Sequence, residues 1–263
     1  MHNYVFPASY EPWLAPRFQA APEETVATCS TCNMAKPACD RPGPTRDPGP
    51  FKADLKCCTY FPYLPNFSLG LFTDLELKKV ETQGVLLPVG LYPSVEYQRR
   101  QLRLSADGES AGKFGNDPDL LCPFYDQSAN VCGRWSQRPG VCTSYFCQSS
   151  FGAEGLLFWK DVESYLNHFE WELARRLFSD LGLTDNELTY GRAAISVETE
   201  DDERPFFIEA AWGHHLKDKA SFYRQSRALA LQYSQEQIGA LLGLDFLRLE
   251  QSLNQRVKDF TSC

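Results

Sequence analysis

"KCCTYFPYLPNFSLG", residues 56–70, places two cysteines side by side ahead of a rigid, aromatic, proline-punctuated segment. Cys57 and Cys58 are poor disulfide partners, because an eight-membered ring strains the peptide between them. They suit a turn that presents two thiolates to a metal, to a cluster, or to two different metals. How this doublet is read decides the fold. A chain organised around ligands in this region is expected to use short turns there, not long regular elements.

The remaining cysteines bear directly on the choice. The chain has 263 residues and ten cysteines. Nine fall in two blocks: Cys29, Cys32, Cys39, Cys57 and Cys58, then Cys122, Cys132, Cys142 and Cys147. Cys29-x2-Cys32 has the spacing of a knuckle whose two thiolates bind one metal. Soft thiolates favour zinc, copper(I) or iron–sulfur clusters. The nine-residue gaps of the second block match neither the short pairs of zinc ribbons nor the ferredoxin spacings, so spacing points to metal without choosing which. The expected ligands are Cys29, Cys32, Cys57, Cys58, Cys122, Cys132, Cys142 and Cys147. Cys39 reads as a ligand or a bystander in an inserted loop, and Cys263 as a free thiol.

Composition supports a folded protein with a sizeable core: 18 Phe, 12 Tyr and 5 Trp. Lys+Arg 26 against Asp+Glu 34 gives a net charge of −8, which argues against a nonspecific nucleic-acid binder. The first residues show no basic stretch followed by an apolar run, and no apolar run approaches the roughly 18 residues of a spanning helix. The expectation is a cytoplasmic protein with no membrane partner. In a reducing compartment, clustered cysteines more often bind metal than form disulfides.

Residues 1–28, punctuated by Pro7, Pro12, Pro16 and Pro22, read as an irregular surface arm. "DRPGPTRDPGP" (40–50) is a Pro/Gly loop that lets the first cysteines meet Cys57 and Cys58. A helix is expected over 71–84 with Leu71, Leu75 and Val80 on one face. The segment 85–93 is ambiguous, with a short helix near 94–102, and 105–121 reads as a loop. From Gly155 the pattern is a long amphipathic helix, with Phe158, Val162, Tyr165, Phe169, Leu173 and Leu177 at three- and four-residue steps and Gly182 as its stop. Thr184 with Glu187, and Ser234 with Gln237, have capping-box spacing. The segment 193–212 reads as a short strand or loop, and two helices, about 217–233 and 234–260, close the chain.

The cysteine pattern resembles the YkgJ-type CxxCxxCC family, described as a zinc- or iron-chelating domain. The likeness is carried by Cys29, Cys32 and the Cys57–Cys58 doublet, then "CPFY" at Cys122, then Cys132. "RPGVC" with Arg138, Pro139 and Cys142, and "YFC" ending at Cys147, complete it. It departs in front, where 24 residues separate Cys32 from the doublet and Cys39 is additional. Flagellin lysine-N-methylases carry a similar cysteine domain, so the resemblance implies an iron–sulfur cluster and, distantly, methyl transfer. It also implies "TYFPYLPNF" as an apolar wall around a cluster, set against ordinary core packing.

Other candidates are weaker. His214 and His215 are adjacent but lack a partner motif. His168 falls at the edge of the long helix's apolar face and reads as a boundary residue. Arg138 could hydrogen-bond an anionic thiolate site or make a structural ion pair. "GKFGND" lacks the phosphate-loop pattern, and "ETEDDE" (198–203) reads as a solvated acidic loop. The expectation is a mainly α single domain over residues 1–263: the arm, a cysteine-rich metal-binding core (29–152), and a helical part (153–263) packed on it. Its expected function is metal binding by thiolates. An iron–sulfur cluster with a redox or modifying role leads, and structural zinc in a partner-interaction module is the alternative.

Overall fold

Apolar residues recurring at helical spacing bury one stripe, and the longest such stripe forms the longest helix, Gly152–Asp180. Phe158, Val162, Tyr165, Phe169, Leu173 and Leu177 are all buried. Gly182 ends the turn after it with φ +85°, a conformation that a side chain would strain. The computed structural model describes residues 6, 8–18, 22, 24–25, 29, 31–41, 43–47, 49–106 and 113–261, and is mainly helical. Cys263 and the middle of the expected 105–121 loop lie outside them. No described helix is long and apolar enough to cross a membrane. The chain divides into two units, each assembled from segments distant in sequence.

The first unit takes Met1–Phe61, Arg103–His168 and Leu242–Cys263. Within the expected surface arm, residues 8–18 are packed into the unit instead. Ala8–Tyr10 is a 3-10 turn that leads into a helix at Glu11–Leu14, with Pro12 in its first turn, where a missing N–H costs nothing. Tyr10, Trp13 and Leu14 are fully buried, and Phe18 meets Tyr165 edge-on at 5.2 Å. Burying rings of this size outweighs the irregularity that the prolines suggested. Arg17 pairs with Glu250 at 2.9 Å, and the Tyr165 hydroxyl donates to the same carboxylate at 2.7 Å. The cysteine-bearing stretches form short elements, as expected. These include 3-10 turns at Asn33–Ala35, Lys56–Cys58 and Trp135–Gln137, and a helix at Gly140–Ser144. A two-residue-per-strand hairpin pairs Tyr125–Asp126 with Val131–Cys132. The closing helix, Gln235–Thr261, is broken at Gly243 (φ 74°, ψ 170°).

The second unit takes Pro62–Leu102 and Phe169–Leu241. The ambiguous 85–93 segment is a hairpin, Gly84–Leu87 against Gly90–Pro93, with Leu64–Pro65 as a third antiparallel strand. Pro88 falls in the tight connection, where no ladder bond is lost. The helix after it is Val95–Ala106. The helix expected over 71–84 is shorter, Asp74–Glu81, because Thr73 and Glu76 form a capping box that sets its start. That start changes the face: Leu77 and Val80 are buried, while Leu75 is 77% exposed. The segment 193–212, expected as a short strand or loop, is the end of the Asp185–Ile195 helix, an acidic turn, and a helix at Arg204–Trp212. Pro205 seeds the last helix, and Arg204 gathers the carbonyls of Ala194, Ser196 and Thr199 at 2.6–3.0 Å. The acidic turn is solvated but tied, with Asp201 held by Arg99 and Arg204.

Candidate metal centre

Eight cysteines separated in sequence are brought to two cavities of the first unit. The larger, about 380 Å³, is lined by Cys29, Cys57, Cys58, Cys122, Cys132 and Cys142. The smaller, about 230 Å³, is lined by Cys29, Cys32, Cys57 and Cys147. The two adjoin, sharing Lys56, Trp135, Arg138 and Tyr145 as well as Cys29 and Cys57. All eight cysteines singled out in the sequence therefore line one or both cavities. Cys39 is exposed and lines neither cavity. Among the described residues no three Cys, His, Asp or Glu side chains converge on the shell of a single metal ion. The thiols surround volumes, not a point.

Local structure explains the convergence. Cys32 precedes the Asn33–Ala35 turn, and the Met34 and Ala35 amides offset part of the rise in its pKa. The Phe124 amide does the same for Cys122, and the Gln148 amide for Cys147. A backbone N–H near a sulfur favours its anionic form. Lys56, immediately before the doublet, adopts φ 56°, uncommon for a side-chain-bearing residue. It is buried, and its ammonium donates to the Asn130 carbonyl at 2.7 Å. The Cys122 amide donates to the Cys58 carbonyl at 2.7 Å, which joins the two cysteine blocks. Cys132 sits opposite Tyr125 in the small hairpin, and Cys142 lies on the Gly140–Ser144 helix.

Burial dominates the electrostatics. It pushes the Cys122 and Cys147 thiols up to about 12, with neighbouring thiols adding to the rise. Cys142 is raised well above the ordinary thiol range for the same reason. Cys57 is raised first by its hydrogen bond with the Cys58 thiol and then by burial. Arg138 opposes the rise at Cys29, Cys57 and Cys142. In the metal-free protein these thiols stay protonated at neutral pH, and a soft metal must displace their protons.

After desolvation, the thiols acting on Cys147 are Cys32, Cys57 and Cys29. Those acting on Cys142 are Cys122, Cys57 and Cys132. Cys147, assigned by sequence to the second block, faces the first. Cys58, assigned to the first, lines the cavity of the second.

Arg138 is a wall residue of both cavities. It stacks on Trp135, with the guanidinium carbon 3.6 Å from the ring centre, and donates to the carbonyls of Trp135 and Cys142. Several other wall residues carried no motif in the sequence. Arg46 pairs with Glu163 at 2.5 Å, lies over the Tyr145 ring, and keeps a buried Nη1 without a partner. Tyr145 donates to Asp47. Glu24 accepts from the Ser149 hydroxyl (2.6 Å), the Trp159 indole (2.5 Å) and the Ser150 amide (2.6 Å). Only the third dimension brings these residues to the cysteines.

The apolar wall expected from "TYFPYLPNF" is mostly core. Of that segment, only Tyr60 lines either of these two cavities, while Phe61 meets Phe124 and Phe67 meets Phe169 edge-on. Among the described residues the histidines form no site. His168 stacks on Phe246 at 3.6 Å, while His215 bonds the Leu181 carbonyl and stacks with His214. No family model, curated protein or solved structure matches this chain.

Proposed function

We propose that this protein, whose cysteine pattern resembles that of the YkgJ-type chelating family, binds a redox-active metal centre through its clustered thiolates. Iron–sulfur chemistry leads zinc in this reading. The observation that carries it is the gathering of eight cysteines, from Cys29 to Cys147, around two adjoining cavities. The donor set is soft, and nearby backbone amides favour the anionic form of Cys32, Cys122 and Cys147, which suits thiolate ligands. Thiolates on one zinc ion lie about 4 Å apart around bonds of about 2.3 Å and leave almost no space between them. Cavities of about 380 and 230 Å³ have room for a larger group.

When bound, such a cluster supplies one-electron redox chemistry. The chain's own residues hold and tune it. Arg138 and buried Lys56 set positive charge against the thiolates, and Trp135 and Tyr60, both partly exposed, line the larger cavity where a reactant would approach. That approach supports a redox or modifying role over a purely structural one.

The test is iron, zinc and acid-labile sulfide content, with an absorption spectrum, on protein purified without oxygen. Iron with sulfide and broad visible absorption is the expected result. Stoichiometric zinc with a clear spectrum would replace it with the structural, partner-binding reading. The variant Cys142→Ser should lower metal content, and unchanged content would count against thiolate ligation in this cavity.

A further inference from the structure

The doublet raises a geometric problem: two adjacent side chains do not readily serve one tetrahedral shell. The cavities resolve it. Cys58, Cys122, Cys132 and Cys142 line only the larger cavity, and Cys32 and Cys147 line only the smaller. Cys29 and Cys57 line both. The larger cavity already has four thiols of its own. The smaller reaches four only with Cys29 and Cys57, and Cys29 is the knuckle partner of Cys32.

We infer that the chain holds two separate four-thiolate metal centres, one on Cys58, Cys122, Cys132 and Cys142 and the other on Cys29, Cys32, Cys57 and Cys147. This inference rests on the thiolate reading above and goes beyond it in the number and membership of the centres. The partition crosses the two sequence blocks: Cys58 leaves the first for the larger centre, and Cys147 leaves the second for the smaller. The doublet is then the joint between the centres, with one thiolate for each. Arg138, shared by both cavities, stands between two anionic groups and offsets the charge of each.

The experiment is metal and acid-labile sulfide per chain on full-length protein purified anaerobically. It compares wild type with Cys58→Ser, Cys132→Ser, Cys32→Ser, Cys147→Ser and the double variant Cys32→Ser/Cys132→Ser. Each single variant is expected to keep about half of the wild-type metal, and the double variant to keep none. Singles that abolish all metal overturn the two-centre inference while the thiolate reading stands, and singles that all leave it unchanged overturn both. A wild type that neither contains nor takes up metal overturns the thiolate reading, and this inference with it.

Alkylation of the wild type during stepwise removal of metal by chelator tests the same partition without depending on variant folding. Mass mapping should show Cys147 becoming reactive together with Cys29 and Cys32. Labelling of Cys147 together with Cys122 and Cys132 overturns the assignment.

Discussion

Asn66, in the "LPNF" part of the stretch that follows the doublet, should be among the most sensitive positions in the second unit. Its side chain is fully buried. The amide donates to the carbonyls of Pro88 and Ala174, both at 3.0 Å, and its oxygen accepts the Phe67 amide at 2.8 Å. It thus ties the short strand, the hairpin turn and the long helix within that unit. Asn66→Ala removes three hydrogen bonds and strands buried partners. At about 1 kcal/mol per net bond and about 1–3 kcal/mol per orphaned group, the loss should be about 3–5 kcal/mol. That is a large share of a typical total of about 5–15 kcal/mol.

Asn66→Asp should cost at least as much at neutral pH, because a carboxylate oxygen then faces carbonyl oxygens. Burial raises that carboxyl's pKa in the folded state. Asn66→Asp is therefore least harmful below the unfolded value of about 4, and its stability is lost as pH rises through the folded value. Urea denaturation followed by far-ultraviolet circular dichroism measures both variants. A loss under about 1 kcal/mol for Asn66→Ala would refute the claim that this amide is a structural tie.

Gly70 should tolerate no side chain. A Cβ there would lie 2.5 Å from both the Arg227 Cβ and the Tyr223 carbonyl oxygen, so Gly70→Ala should cost about 1–3 kcal/mol in thermal or urea unfolding. The Tyr223 phenol is fully buried, donates to the Leu87 carbonyl at 2.9 Å, and has its pKa pushed well above the ordinary range by burial. A group raised in the folded state contributes stability fully below its unfolded pKa, about 10, and loses it as pH climbs beyond. Tyr223→Phe should therefore be slightly less stable than wild type at pH 8 and show a shallower loss between pH 10 and 11, read from unfolding midpoints. Cys39→Ser should leave metal content unchanged, since Cys39 lines neither cavity. A drop by elemental analysis would make Cys39 a ligand.

The long helix and the starts of two later helices were legible because local rules settle them. An apolar stripe of about five turns, Phe158 to Leu177, and capping boxes at Thr184 and Ser234, specify their own geometry. The gathering of the cysteines was legible from residue type and clustering, but its partition was not. Which thiol faces which cavity depends on the turn at Lys56 and on the Cys122–Cys58 backbone bond, and neither leaves a sequence signature. The hairpin at 84–93 was missed because proline and glycine mark both breaks and tight turns. The helical face at 71–84 was misphased because the cap at Thr73, and not the apolar spacing, decides where the helix begins. Arg46, Glu24 and Tyr145 had no motif, and only tertiary contacts bring them to the cavity walls.

The Glu24 clasp has a consequence in polymer terms. It joins residues 125 apart, and every cysteine from Cys29 to Cys147 lies on the loop that it closes. Closing a flexible loop of that length costs about 4 kcal/mol of chain entropy, by the three-halves-logarithm rule. The clasp and the aromatic core meet that cost through folding. On the thiolate reading proposed above, an incoming ion would meet thiols already confined at high effective concentration, and its binding energy would not be drawn down by gathering the chain. The drawstring is tied outside the purse: cutting it should loosen the hold on metal without removing a single sulfur.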